Sequence, residues 1–198
     1  MGNFAVFGDS LMGGETRTWL SHFLAQKGHT IARDHHFAGT NWCDWMDGQY
    51  PEHIYHGQPF VIAAFSGNML TPCTQGRGTA QEVYQADADA FAATQAYLGR
   101  TTWLMSTPGR AETPESANWT RPILQAIAAK YAPLVRYVDA GRALAVNGVY
   151  KTWVAPCDSI DIFCGHCYLG IAVQYQDDLA HLRPAGSRRW AQTMAYVT

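Results

Sequence analysis

The sequence predicts an α/β fold: about five parallel strands with helices between them. Two observations carry this. Short apolar runs alternate along the chain with stretches whose apolar residues recur at helical spacing, the βα pattern of a parallel sheet covered by helices. The chain is also 198 residues long, the length of a single domain with a sizeable core. No repeat, low-complexity run or linker divides it, so residues 1–198 are read as one domain.

The elements follow in order. Phe4 to Gly8 reads as a short buried strand. Trp19, Leu20, Phe23 and Leu24 then form one face of a helix that ends near Gly28. Thr30 to Asp34 is a second strand, and Pro59 to Phe65 the clearest buried one. Val83, Ala90, Phe91, Thr94, Tyr97 and Leu98 mark a long helix closed by Gly99. Thr101 to Ser106 is the fourth strand. Trp119, Ile123, Leu124, Ile127 and Tyr131 give another helix, with Trp19 and Trp119 on core-facing stripes. Leu134 to Val138 is the fifth strand, and Pro184 to about Tyr196 a closing helix. A long segment around 147–177 has no clear period and holds three cysteines, so it reads as an irregular insertion.

Composition excludes several function classes. Hydrophobic residues are 47%, charged residues only 15%, and the formal net charge is −2; a chain of this kind folds rather than staying disordered. With no basic run and a pI near 6.4, no electrostatic grip on nucleic acid is expected. No apolar stretch approaches the roughly 18–20 residues that span a bilayer. Met1-Gly2-Asn3 leads straight into Phe4-Ala5-Val6-Phe7, without the basic flank and roughly 7–15-residue apolar stretch of a signal peptide. The chain is therefore expected either to stay inside the cell or to be a mature form. No oligomeric state is predicted.

The cysteines lie at 43, 73, 157, 164 and 167. Cys164-Gly165-His166-Cys167 has the C-x-x-C spacing of redox or zinc sites, but no second C-x-x-C supplies the other half of a zinc site. A redox pair, in turn, usually opens a helix after a strand. Disulfides are the preferred reading, which leaves one thiol over. His35-His36, Cys43-Asp44 and His53-x-x-His56 form a second group with metal-ligating side chains. Polar loop residues around a pocket explain them better, and no metal or cofactor is expected.

In open parallel sheets, sites gather at the carboxyl ends of strands. Gly8-Asp9-Ser10 follows the first strand, Gly39 lies in the loop after the second, and Ser66-Gly67-Asn68 follows the third. Asp178-Leu179-Ala180-His181 stands just before the last helix. Each alone has a plain explanation: Gly-Asp-Ser serves as a turn and helix cap, and an Asp–His pair as a surface contact. Together they supply an acyl-transfer site. A serine hydroxyl needs a His to take its proton and a carboxylate to hold that His in the correct tautomer. The developing oxyanion needs preorganised N–H donors, which the Ser10 amide, a Gly39 amide and the Asn68 side chain can provide. Asp177 competes with Asp178 for the carboxylate role. Asp9 reads as a structural hydrogen-bonder.

These blocks resemble the SGNH, or GDSL, hydrolases: a G-D-S near the start, a Gly after the second strand, a G-x-N-D, and a late D-x-x-H. Here they are Gly8-Asp9-Ser10, Gly39, Gly67-Asn68 and Asp178-x-x-His181, in order over nearly the whole chain. The resemblance implies a flavodoxin-like three-layer α/β/α fold. It implies Ser10 as nucleophile, His181 as general base and then acid, and Asp178 as its orienter. Ser10, Gly39 and Asn68 would form the oxyanion hole. In one departure Met69 stands where the third block usually has Asp, which points to a divergent branch. Phe65 to Cys73, and Val149-Tyr150…Trp153…Pro156-Cys157, are also similar to exported actinobacterial members. That finer likeness implies an extracytoplasmic or secreted enzyme with disulfides Cys43–Cys73 and Cys157 with Cys164 or Cys167.

The function expected is a serine ester hydrolase acting on small acyl, acetyl-type esters, with a small-molecule or carbohydrate ester as substrate. Transfer of the acyl group to an alcohol or carbohydrate acceptor is the alternative within the same chemistry. A non-catalytic carbohydrate-binding domain and a thiol–disulfide protein are the alternatives outside it. Trp42 and Trp45, with Tyr50 and Tyr55, read either as a substrate-stacking rim or as packing of a long loop.

Overall fold

A computed structural model of the chain describes residues 1–55, 57–109, 115–154, 156–169, 172–177, 181–196 and 198, with the backbone alone for 115–117 and 173. Its centre is a sheet of five parallel strands: β1 (Asn3–Gly8), β2 (Thr30–His36), β3 (Phe60–Ala64), β4 (Thr101–Met105) and β5 (Val135–Val138). Their spatial order is β2-β1-β3-β4-β5, the flavodoxin-like arrangement.

Strand alternation builds the three layers. Phe4 and Val6 of β1, Ile62 and Ala64 of β3, and Trp103 and Met105 of β4 share one face. They are covered by α1 (Gly14–Gln26) and α5 (Pro184–Tyr196), through Leu20, Leu24, Trp190 and Met194. Ala5, Phe7, Val61, Ala63 and Leu104 face the other way. There α2 (Ala80–Tyr97) and α3 (Glu115–Lys130) close the core with Tyr84, Phe91, Leu124 and Ile127. The central strands are buried on both faces, which is why they read in sequence as unbroken apolar runs.

Two expectations need correction. β2 runs on to His36 rather than ending at Asp34. It is an edge strand, mostly exposed, so it carries no apolar alternation, and pairing with β1 (Gly8 opposite His36) sets its length. The 147–177 segment is also not irregular throughout. A two-strand pair joins β6 (Ala145–Val146) to β7 (Val149–Tyr150). A small antiparallel sheet then joins β8 (Trp153–Val154), β9 (Cys167–Tyr168) and β10 (Ala172–Gln174), around the short helix α4 (Ser159–Phe163). Strands of two or three residues are too short to show a period.

Side chains hold this segment to the domain. Asp158 caps α4 in a reciprocal capping box with Asp161. Both carboxylates meet α5: Arg189 Nη2 donates to Asp161 Oδ2 at 2.6 Å, and Arg188 pairs with both acids. Arg188 and Asp161 are buried, at 1% and 0% exposure. A disulfide joins Cys157 to Cys167, leaving Cys164 free, so Cys164 and Cys167 are not a redox pair with each other. A second disulfide joins Cys43 to Cys73. Among the described residues, no helix is long and apolar enough to cross a membrane.

Candidate active site

The sheet order reverses direction between β1 and β3, and that crevice is where a ligand site forms in such folds. Gly8 ends β1 in close quarters: a Cβ there would collide with Met12 and the Ala64 carbonyl of β3. Asp9 follows, wholly buried, and caps the 3-10 turn Ser10–Met12 by accepting the Leu11 N–H at 3.0 Å. Its Oδ2 accepts from the Ser66 amide at 2.7 Å, the Ser66 hydroxyl at 2.6 Å and the Asn68 side-chain amide at 3.2 Å. Burial pushes the Asp9 carboxyl above the usual carboxylate range, and the Ser66 bonds oppose that shift. Asp9 thus ties the Ser10 turn to the loop after β3.

The loop after β2 is stitched to both. Gly39 takes a φ of +79°, which favours glycine. Thr40 donates its hydroxyl to the Gly8 carbonyl at 3.1 Å, and its own carbonyl accepts from Asn68 Nδ2 at 3.3 Å. Asn41 Nδ2 donates to the Asn68 carbonyl at 2.8 Å. Behind this loop Asp44 accepts from the Asn41 amide at 2.8 Å and the Thr71 hydroxyl at 2.9 Å, beside the Cys43–Cys73 disulfide.

His181 arrives from the far end of the chain. Gln176 and Leu182 form an isolated antiparallel bridge. Between them the Asp177 amide donates to the His181 carbonyl, and the His181 amide donates to Asp177 Oδ1, both at 2.8 Å. Gly186 of α5 lets the helix press directly against the Tyr175 backbone. The outcome is that His181 Nε2 lies 3.3 Å from Ser10 Oγ, across 171 positions of sequence. Beside the pair is a pocket of about 220 Å³ lined by Ser10, Gly13, Gly14, Thr16, His181 and Leu182. Asp178, the expected triad carboxylate, lies outside the described residues.

Other sequence-selected residues fall elsewhere. Trp42 and Trp45 do not form a rim: at 0% and 2% exposure they pack in the core, Trp42 against Phe65 and Phe91, Trp45 against Phe7. Only Tyr55 of that aromatic group is exposed. Trp19 and Trp119, both expected in the core, are only partly buried and pack at its edge. His35 meets His53 with Nδ1 atoms 2.9 Å apart, whereas His36 turns to Asp34 at 2.6 Å; His56 lies outside the described residues. Cys43, Asp44 and Cys73 bring three potential ligand atoms within 4.8 Å of one another, but the disulfide consumes both thiolates. The sequence reading assigned no role to Thr40 or to Ser66 of the Ser66-Gly67-Asn68 block, since single hydroxyls in loops carry no signal until the strands align them.

No protein-family model matches the chain, and no curated protein matches it. Solved structures do. A lipase/acylhydrolase from Enterococcus faecalis is similar over 100% of this chain and 95% of its own, with a TM-score of 0.68 and 11% identity. A lipolytic protein of the G-D-S-L family from Desulfitobacterium hafniense aligns over 100% of both chains, with a TM-score of 0.66 and 12% identity. Axe2, an acetylxylan esterase from Geobacillus stearothermophilus, covers 99% of this chain and 92% of its own, with a TM-score of 0.65 and 13% identity. At such identities the likeness is one of fold: the chain has the fold of GDSL-family hydrolases, in keeping with its G-D-S block.

Proposed function

We propose that the protein is a serine ester hydrolase that removes small acyl groups, acetyl foremost, from a carbohydrate or other small alcohol, and that it works outside the cytoplasm. The observation that carries this reading is the 3.3 Å approach of His181 Nε2 to Ser10 Oγ at the switch point of the sheet. Ser10 donates its proton to neutral His181 as Oγ attacks the ester carbonyl. The oxyanion is met by the Ser10 and Gly39 amides and the Asn68 side chain, which gives up its long bond to Thr40; each such donor contributes about 2.7–4 kcal/mol to the transition state. His181 then passes its proton to the departing alcohol, leaving an acyl-Ser10 ester. Water, deprotonated by the same His181, releases the acid. Asp178 orients the imidazole. The pocket of about 220 Å³ suits a small group. The names of the structural neighbours point to ester chemistry, and two disulfides suit an oxidising compartment.

The test is hydrolysis of p-nitrophenyl acetate. Ser10→Ala and His181→Ala are each expected to lower kcat by roughly a thousandfold or more. Asp178→Ala should fall steeply and Asp177→Ala only mildly. Unchanged rates in the Ser10 or His181 variant would overturn the reading. Products formed with an added acceptor alcohol separate hydrolysis from transfer.

A further inference from the structure

A groove of about 690 Å³ lies between α2 and α3, on the layer opposite α1 and α5. That is within the range of ~300–1,000 Å³ common to ligand pockets. Gln81 and Gln85 border it from one turn to the next of α2, and Asn118 faces them from α3. The floor is apolar, made by Trp119, Ile123 and Ile127, with Pro122 and Ala126 too short to fill it. At the far end Lys130 Nζ pairs with Asp89 at 2.7 Å, so the charges there cancel.

Trp119 links the groove to the Gly67-Asn68 loop of the candidate active site. Gly67 has a φ of +89°, and a Cβ on it would run into the Trp119 ring. Trp119 also packs edge-on against Tyr84, with centroids 5.2 Å apart. One end of this indole therefore props the Gly67-Asn68 loop while its body lines the groove.

We propose that this groove is a glycan subsite, holding neutral sugar units that flank the esterified one at Ser10; the proposal rests on the esterase reading. An indole beside uncharged amides is the chemistry that recognises a sugar: the ring covers its apolar C–H face, and the amides donate to and accept from its hydroxyls. A hydrocarbon chain fits the site poorly. It would strip water from three amides without replacing their hydrogen bonds.

The experiment uses the whole protein and neutral, unacetylated β-linked oligosaccharides from dimer to hexamer, read by tryptophan fluorescence. Binding is expected to tighten with chain length. Ala126→Phe, which fills the groove, and Gln85→Ala, which removes one amide, should each weaken binding about tenfold. With an acetylated oligosaccharide the same variants should raise KM about tenfold at unchanged kcat, and leave p-nitrophenyl acetate hydrolysis as it was. No binding to the wild type, or binding that neither variant alters, overturns the proposal. So does an effect confined to long-chain acyl esters, which would make the groove an acyl channel. If the wild type fails to hydrolyse p-nitrophenyl acetate, the esterase reading falls, and the binding titration still decides the groove.

Discussion

Asp9 satisfies donors from two different loops although it has no part in the proposed proton transfers. Its carboxylate accepts from Leu11, from Ser66 twice, and from Asn68. Asp9→Ala would leave those donors in a buried site without their acceptor, where each unsatisfied group costs about 1–3 kcal/mol. The expected outcome is a loss of at least ~2 kcal/mol in urea denaturation, with a fall in kcat and little change in KM, because the Ser10 turn and the Asn68 amide lose their common anchor. This also explains why G-D-S was readable as a unit. Gly is required by the close approach of β3, Asp by the tie to Ser66, and Ser by its place at the start of the turn. Trp42 and Trp45 were not readable in the same way, since an aromatic residue in a loop has the same sequence signature whether it turns inward or outward.

At the scale of elements, the core strands were legible because both their faces are buried, and α5 because Pro184 opens it on a clear helical period. The end of β2 and the small sheet of β8, β9 and β10 were not. Their lengths are set by pairing, by the Cys157–Cys167 bond and by the ion pairs between α4 and α5. Those ion pairs make a prediction. Removing one partner of a buried pair leaves charge without compensation and costs about 3–5 kcal/mol. Arg189 still reaches Asp161, so Arg188→Ala is expected at the lower end, about 3 kcal/mol, in thermal denaturation. The α2–α3 groove was illegible for a related reason: it belongs to neither helix alone and exists only where two stripes face each other.

For the molecule as a whole, stability should depend on acidity through His35. Burial, and the neighbouring His53, hold its pKa down to about 4, below the ordinary 6.5. The unfolded chain therefore binds this proton more readily than the folded one. The stability it represents is complete above about 6.5 and is lost as pH falls towards about 4, below which the loss is complete. At about 1.4 kcal/mol per unit the total is on the order of 3 kcal/mol. Denaturation midpoints on either side of that window should differ in the wild type, and the difference should shrink in His35→Gln. A wild type with a flat profile would refute this.

The meeting of Ser10 with His181 across 171 positions sets a condition on when the molecule can act. Ser10 lies on the first turn after β1, and His181 is held by a bridge that α5 braces against Tyr175. A chain emerging from the ribosome makes β1 well before α5, so Ser10 is in place long before His181 can meet it. Long-range contacts of this kind form late in folding. The Ser10–His181 contact therefore forms only with the docking of α5 onto α1, and on the esterase reading proposed above a chain that has not completed its fold is expected to show no activity.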